Sequence, residues 1–306
     1  MWSFKHRLWL CVVLVVCAWP SQAKAQQQSE GFAIERFYPA PPGSGWFVLD
    51  DLKMTGRLGG AISFTTGYSH DLSVISDQAF MDLGVAGTYD RYRVYLNFPM
   101  PLVVAGSNGS PSLGVSSNPD TISDPRVGFD VRFFGTPAGS LRLGAGAQLI
   151  MPSGERADYV TDGTYRGVFR FVAAGDVRTF AYSGQIGLQV RPLNEPSIPA
   201  GPNGNEFLFG VGAGRKIPLN QRWEAFVGPE FFGETAVSSF FQKEKTGVEG
   251  LLTGRLERTG DSASLRLKLG IGHSIIQHFG TPEWRLVFSA EVFGHRSAGT
   301  NSADLP

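Results

Sequence analysis

The stretch Leu141-Arg142-Leu143-Gly144-Ala145-Gly146-Ala147-Gln148-Leu149-Ile150-Met151 decides the fold. Leu141, Leu143, Ala145, Ala147, Leu149 and Met151 fall on one face of a period of two. Arg142, Gly144, Gly146 and Gln148 fall on the other. That period is the mark of a β-strand, whose successive side chains point to opposite faces. Working outward, the same unit recurs twelve times, at 59–69, 79–89, 92–104, 125–135, 141–152, 164–174, 179–191, 206–217, 223–235, 247–258, 263–274 and 284–293. The connections alternate in kind. After the even-numbered strands they are short: Asp90-Arg91, Thr136 to Ser140, Gly175 to Arg178, Pro218 to Arg222 and Thr259 to Ser262. After the odd-numbered strands they are longer, the longest being Ala105 to Asp124, and Pro192 to Asn205 holds four prolines.

The first 25 residues read as a secretory signal. Lys5 and Arg7 form its basic start, Leu8 to Trp19 its apolar stretch, and Ala23-Lys24-Ala25 a small-x-small cleavage site ahead of Gln26. Both cysteines, Cys11 and Cys17, lie inside it, so the mature chain has no disulfide, thiolate metal site or cysteine nucleophile. Losing Lys5, Arg7 and Lys24 with the signal leaves 24 basic against 27 acidic residues, and nothing points to nucleic acid. The 39 glycines and 37 aromatic residues suit a β-protein with tight turns and interfacial rings.

Export, alternation and the short-turn, long-loop asymmetry together predict an all-β fold, an antiparallel transmembrane β-barrel of about 12 strands. An even count places both termini in the periplasm. The expected organisation is a signal peptide (1–25), a periplasmic N-terminal segment (26–58), the barrel (59–293) and a short polar tail (294–306). The N-terminal segment carries Phe37, Tyr38, Trp46 and Phe47 among prolines, so it docks at the barrel mouth or enters the lumen.

The two faces differ in chemistry. Val94, Leu96, Phe98 and Met100, then Val127, Phe129, Val131 and Phe133, then Leu265, Leu267, Leu269 and Ile271 make uncharged outward runs. Lipid contact requires this, since a charge at mid-bilayer costs about 2–4 kcal/mol. Rings at strand ends, such as Tyr68, Tyr89, Tyr165, Trp223 and Trp284, suit interfacial girdles. The inward face carries Arg93, Asp130, Arg132, Arg142, Arg166, Arg170 and Arg191 on strands three to seven. Glu224, Glu230 and Glu249 lie on strands nine and ten, and Arg266 and Lys268 on strand eleven. These lumen-lining residues form either a pore wall or a salt-bridge network. Inward glycines leave room for long side chains from neighbouring strands.

One set of motifs is familiar. Gly31-Phe32-Ala33, Arg36-Phe37, Pro39, Gly43-Ser44, Trp46-Phe47-Val48 and Asp50 resemble the start of the N-terminal barrel region of large Gram-negative OmpA-family outer-membrane proteins. The resemblance continues through Gly128-x-Asp130-x-Arg132, Pro152-Ser153-Gly154, Asp162-Gly163, Gly228-Pro229-Glu230 and Phe279-Gly280-x-Pro282. It implies an outer-membrane barrel. Those proteins usually continue into a soluble peptidoglycan-binding domain, whereas this chain stops after its polar tail, so cell-wall anchoring is not carried over.

No catalytic set stands out. His70-Asp71 reads as a solvated loop pair, and His273-Ser274 as strand neighbours that face opposite ways. Asp158 with Asp162-Gly163 is too sparse for calcium. No enzyme activity, cofactor or metal is expected. The favoured reading is a narrow outer-membrane channel or transporter for small polar solutes. A closed structural barrel is the first alternative and a secreted soluble β-protein the second. The partners implied are outer-membrane lipid and lipopolysaccharide, with the barrel-assembly machinery acting during insertion after export through the general secretory pathway.

Overall fold

The computed structural model describes residues 31–54, 58–72, 75–106, 122–194, 204–278 and 280–295. The expected signal, most of the Ala105–Asp124 loop, part of the Pro192–Asn205 loop and the C-terminal tail lie outside the described residues. The strands are β1 (Gly59–His70), β2 (Ile75–Tyr89), β3 (Tyr92–Gly106), β4 (Arg126–Phe134), β5 (Arg142–Ile150), β6 (Arg166–Val177), β7 (Phe180–Val190), β8 (Glu206–Pro218), β9 (Trp223–Ala236), β10 (Thr246–Arg258), β11 (Ala263–Ile276) and β12 (Trp284–His295). Each pairs antiparallel with the next, and β1 pairs with β12 from Gly59 opposite His295 to His70 opposite Trp284. The sheet is therefore a closed barrel. The alternation located all twelve strands. The largest displacement is at the start of β2, which begins at Ile75 rather than Ala79.

Closure turns the period of two into an inside and an outside. The outward positions are apolar and bare of protein contact: Ile62, Phe169, Phe171, Val211 and Ile271 are each more than half exposed. Twelve strands about 4.8 Å apart, tilted by roughly 40°, imply a backbone radius of roughly 12 Å. Side chains from the wall alone leave the middle of such a cylinder unfilled.

Residues 31–54 fill it. This segment takes no part in the sheet, yet Phe32, Ile34, Phe37, Trp46, Phe47, Leu49, Leu52 and Met54 are all essentially buried. Phe32 and Ile34 pack with Leu72, Ile75, Val104, Tyr159 and Val160, which belong to the long loops and the adjoining strand ends. Leu52 and Met54 lie at the other rim, where Arg132 Nη1 donates to both of their carbonyls. The chain thus runs through the barrel, from the long-loop rim to the short-turn rim, before β1 begins. On the way it reverses at Pro41-Pro42-Gly43-Ser44. The Ser44 N–H donates to the Pro41 carbonyl at 3.0 Å, and Gly43 takes φ +89°, which glycine adopts without steric cost.

Strand parity correctly places the start of β1 and the end of β12 at one rim. The residues ahead of β1 take the second of the two courses expected for them and enter the lumen, but they cross it, so Gly31 sits at the opposite rim from the start of β1. The inward glycines also have a second use. A Cβ at Gly144 would lie 2.8 Å from the Leu52 side chain, at Gly210 or Gly212 2.8 Å from Leu49, and at Gly270 2.9 Å from Phe47. Some glycines do make room for neighbouring strands, as Gly128 does for Tyr95, but these four make room for the central segment.

The placement is testable because no cysteine lies beyond Cys17. Cysteines replacing Gln242 and Gln277 should react with an impermeant maleimide from one side of the membrane, and those replacing Asn220 and Asp261 only from the other. An epitope inserted just ahead of Gly31 should be accessible from the Gln242 side. Accessibility from the Asn220 side would reject the lumenal path.

Candidate functional site

A desolvated lumen cannot hold isolated charges, because each ion removed from water costs several kcal/mol unless it is paired and hydrogen-bonded. All twelve of the sequence-predicted lumen residues point inward. Ten are buried, while Arg170 and Glu224 are partly exposed. They form one site through the central segment rather than a ring of strand-to-strand pairs.

Near the short-turn rim, wall cations hold the backbone carbonyls of the segment. Arg266 Nη1 donates to Gly43 and Ser44 at 2.9 and 2.8 Å, Arg255 Nη1 to Gly45 at 2.9 Å, and Lys268 Nζ to Trp46 at 2.8 Å. Arg142 Nε donates to Asp51 at 2.7 Å, and Arg132 to Leu52 and Met54 at 2.9 and 3.0 Å. Glu230 does the converse. Its carboxylate accepts the N–H groups of Phe47, Val48 and Leu49 at 2.9, 3.0 and 3.3 Å, and the Thr253 hydroxyl at 2.6 Å. Hydrogen bonds to charged groups are roughly twice as strong as neutral ones, so this set of contacts specifies one path for the segment.

Carboxylates complete the pairing. Arg266 and Lys268 share Glu291, at 3.1 and 2.7 Å. Arg142 meets Asp176 at 2.8 Å, and Lys216 joins them. Arg93 and Arg170 share two acids, Asp130 of the wall and Asp50 of the segment. Aromatic packing fills the remaining space. Trp46 stands edge-on to Phe226 at 4.9 Å, and Phe37 meets Phe80 and Phe232 at 5.9 and 6.1 Å.

The long-loop rim is held by a second network. Arg191 binds Asp162 at 2.6 Å and Glu206 at 2.8 Å, while Arg36 of the segment reaches Glu206 at 3.1 Å. Asp162 also accepts the Ala33 N–H at 2.8 Å. Arg166 binds Asp124 at 2.8 Å and donates to the Tyr38 hydroxyl at 2.9 Å. Arg285 joins Glu249 at 2.9 Å to Glu35 of the segment at 3.0 Å. Burial acts to raise the pKa of Asp162, a loop residue, but Arg191 and Arg166 outweigh it and hold the carboxyl well below the usual range. Its stabilising contribution is therefore complete above an unfolded-state pKa of about 3.9. It is lost only as pH falls through the lower folded value.

Several members were not named as lumen residues from the sequence: Asp82, Glu206, Glu234, Arg255 and, within the segment, Arg36 and Asp50, the last two quoted only for the resemblance. Parity was the available signal for the wall residues. Leu83 and Val85 face outward, which turns Asp82 inward, where it pairs with Arg126. The weak catalytic candidates resolve into structural contacts. His70 Nδ1 lies 2.9 Å from Asp77, and His273 is bonded to the Glu283 carbonyl. Asp162 is occupied by arginines, and among the described residues no group of potential ligands could hold a metal ion.

Two lumenal cavities flank the segment, of about 70 and 50 Å³. Arg36, Tyr38, Arg126 and Arg170 are among the residues lining the larger. By this measure a water needs roughly 10–15 Å³, so these spaces hold a few waters rather than a solute.

Comparison with known proteins supports the fold. The sequence matches no family model and no curated protein. The structure is similar to the COG4313 outer membrane channel from Pseudomonas putida F1, with TM-score 0.54 at 11% identity over 78% of this chain and 95% of that one. It is also similar to the NanC porin, with TM-score 0.50 at 7% identity over 76% and 98%. The architecture is thus that of outer-membrane channels and porins.

The clamp at the long-loop rim makes a stability prediction. Asp162→Ala leaves Arg191 short of a buried partner and should destabilise the folded barrel by about 3–5 kcal/mol. Asp261→Ala, at an exposed turn, should change stability by less than about 0.5 kcal/mol. Thermal unfolding in detergent, followed by the shift between folded and unfolded gel bands, measures both.

Proposed function

We propose that the protein is a plugged channel of the Gram-negative outer membrane, with residues 31–54 as the plug and small polar solutes as its cargo. One observation carries this reading. The barrel wall is closed by its own strand pairing, and the segment that fills the lumen contributes no strand to it. Removing the segment leaves the sheet intact and uncovers a polar cylinder of roughly 12 Å backbone radius. The outward apolar face fits lipid, and the basic, apolar and small-x-small stretches of residues 1–25 fit export through the general secretory pathway. Lipopolysaccharide would then surround the long-loop half of the barrel. The lumenal pairs serve binding and closure rather than catalysis.

The finer family reading rests on the motifs shared with the OmpA-family barrel region, and their positions support it. Asp50 meets Asp130 through shared arginines, Phe47 and Val48 meet Glu230, and Ala33 meets Asp162. The motif residues are the plug and its receptors.

A second reading, a permanently closed structural barrel, is favoured by the number of charged contacts between plug and wall. Planar-bilayer recording separates the two. The intact protein should be closed for most of the record. A variant in which residues 31–54 are deleted, shown to be folded by its heat-modifiable migration, should conduct steadily. A folded deletion variant that stays silent would overturn the channel and support the structural barrel.

A further inference from the structure

Within the lumen one plug side chain stands apart from the others. Asp50 is fully buried, and its Oδ2 faces two wall guanidinium groups. Arg93 Nη2 binds it directly, and Arg170 Nη2 lies at 3.3 Å. The same two arginines hold Asp130 of the wall, Arg93 at 3.1 and 2.7 Å and Arg170 at 2.8 Å. Asp50 Oδ1 faces the plug instead, accepting the Ser44 hydroxyl at 3.1 Å and the Leu52 N–H at 2.9 Å. With the plug seated, two cations meet two acids. With the plug displaced, Arg93 and Arg170 share Asp130 alone, and one positive charge is left without a partner.

The surplus extends along the wall. Among the described residues the hydrogen bonds of Arg132 go to the plug carbonyls of Leu52 and Met54 and none to a carboxylate. Arg142 shares Asp176 with Lys216 and with Lys53 of the plug, the last at 3.3 Å, and gives its Nε to the Asp51 carbonyl. Displacing residues 50–54 therefore exposes a cluster of guanidinium groups on β3 to β6. One pair is spaced for a carboxylate, and the Arg132 and Arg142 donors on the same wall have lost carbonyl oxygens. In a narrow, partly desolvated pore each such charge acts more strongly than in open water.

We propose that Arg93 and Arg170 are an anion-binding site of the channel, occupied in the closed protein by the Asp50 carboxylate as a tethered stand-in for the solute. The ligand class is a small carboxylic acid carrying additional acceptor oxygens. The carboxylate displaces Asp50 between the two arginines, and the other oxygens take the donors that Arg132 and Arg142 gave to plug carbonyls. Solute binding and plug release are then one competition for the same guanidinium groups. This inference rests on reading residues 31–54 as a displaceable plug.

The test reads the plug and not the current. Leu49→Cys places the mature chain's single cysteine on a buried plug residue, and its labelling rate by a maleimide reports plug release in the intact protein. The probes are glucuronate and glucose, which differ by a carboxylate in place of a hydroxymethyl group, at equal ionic strength set with sodium chloride. Glucuronate should accelerate labelling by about tenfold, the equivalent of about 1.4 kcal/mol, and glucose should leave it unchanged. Asp50→Asn should label rapidly without solute. Arg93→Gln combined with Arg170→Gln should abolish the difference between the probes. Each variant is compared only where its folded gel band is retained. Equal labelling with glucuronate and glucose, or no acceleration in Asp50→Asn, would overturn the assignment. The channel reading fails separately. A silent plug-deleted barrel alongside glucuronate-dependent labelling keeps the anion site and removes the channel. A conducting deletion variant with no probe difference does the reverse.

Discussion

The constraint on which the rest of the structure depends is that a charge withdrawn from water must find a partner. The inner wall carries more than a dozen ionic side chains in a cylinder whose axis they do not reach on their own. Pairing them across strands satisfies some, as Asp82 does for Arg126 and Glu291 for Lys268. The remainder are satisfied by a separate piece of chain that brings both charged side chains and a run of unpaired peptide groups. The plug's backbone is the larger part of this, since Arg266, Arg255, Lys268, Arg142 and Arg132 all bind its carbonyls. An unpaired carbonyl in a dry interior is costly too, so wall and plug each remove the other's penalty.

This mutual dependence explains why the plug is irregular. A helix or hairpin would have satisfied its peptide groups internally and left the wall cations with nothing to bind. The segment instead turns at Gly43, offers its carbonyls outward to Arg266 and Lys268, and presents three consecutive N–H groups to Glu230. Its apolar residues fill the gaps between these polar contacts, in spaces that Gly144, Gly210, Gly212 and Gly270 leave open.

Most of the barrel was legible in the sequence because a period of two is a local property. Leu141 to Met151 betrays its strand without reference to any other residue, and the parity that sends Leu143 outward sends Arg142 inward. The lumenal arginines and glutamates followed from the same parity. What the sequence did not disclose was their partners. Arg132 binds main-chain carbonyls, which every residue possesses, so no pattern of residue types marks Leu52 and Met54 as its acceptors. The segment from Gly31 to Met54 has no period at all. Its aromatics pointed to docking, but its direction through the barrel depends on contacts between residues far apart in sequence, such as Ala33 with Asp162 and Val48 with Glu230. Asp50 lay among the resemblance motifs, and its meaning emerged only once Arg93 and Arg170 were seen to share it.

The path of the plug also constrains the order of assembly. The last seam of the barrel joins β1 to β12, the pairing of greatest sequence separation and hence the one whose loop-closure entropy defers it longest. Residues 31–54 lie immediately ahead of β1 and end enclosed on every side. A seam that closed first would leave this segment to thread a lumen of buried, unpaired arginines toward a rim capped by Tyr159 and Val160. Closing last, it wraps the sheet around a chain already in position. The segment that fills the finished barrel is thereby shut in by the seam rather than threaded through it, with its carbonyls and Asp50 already set against the wall arginines.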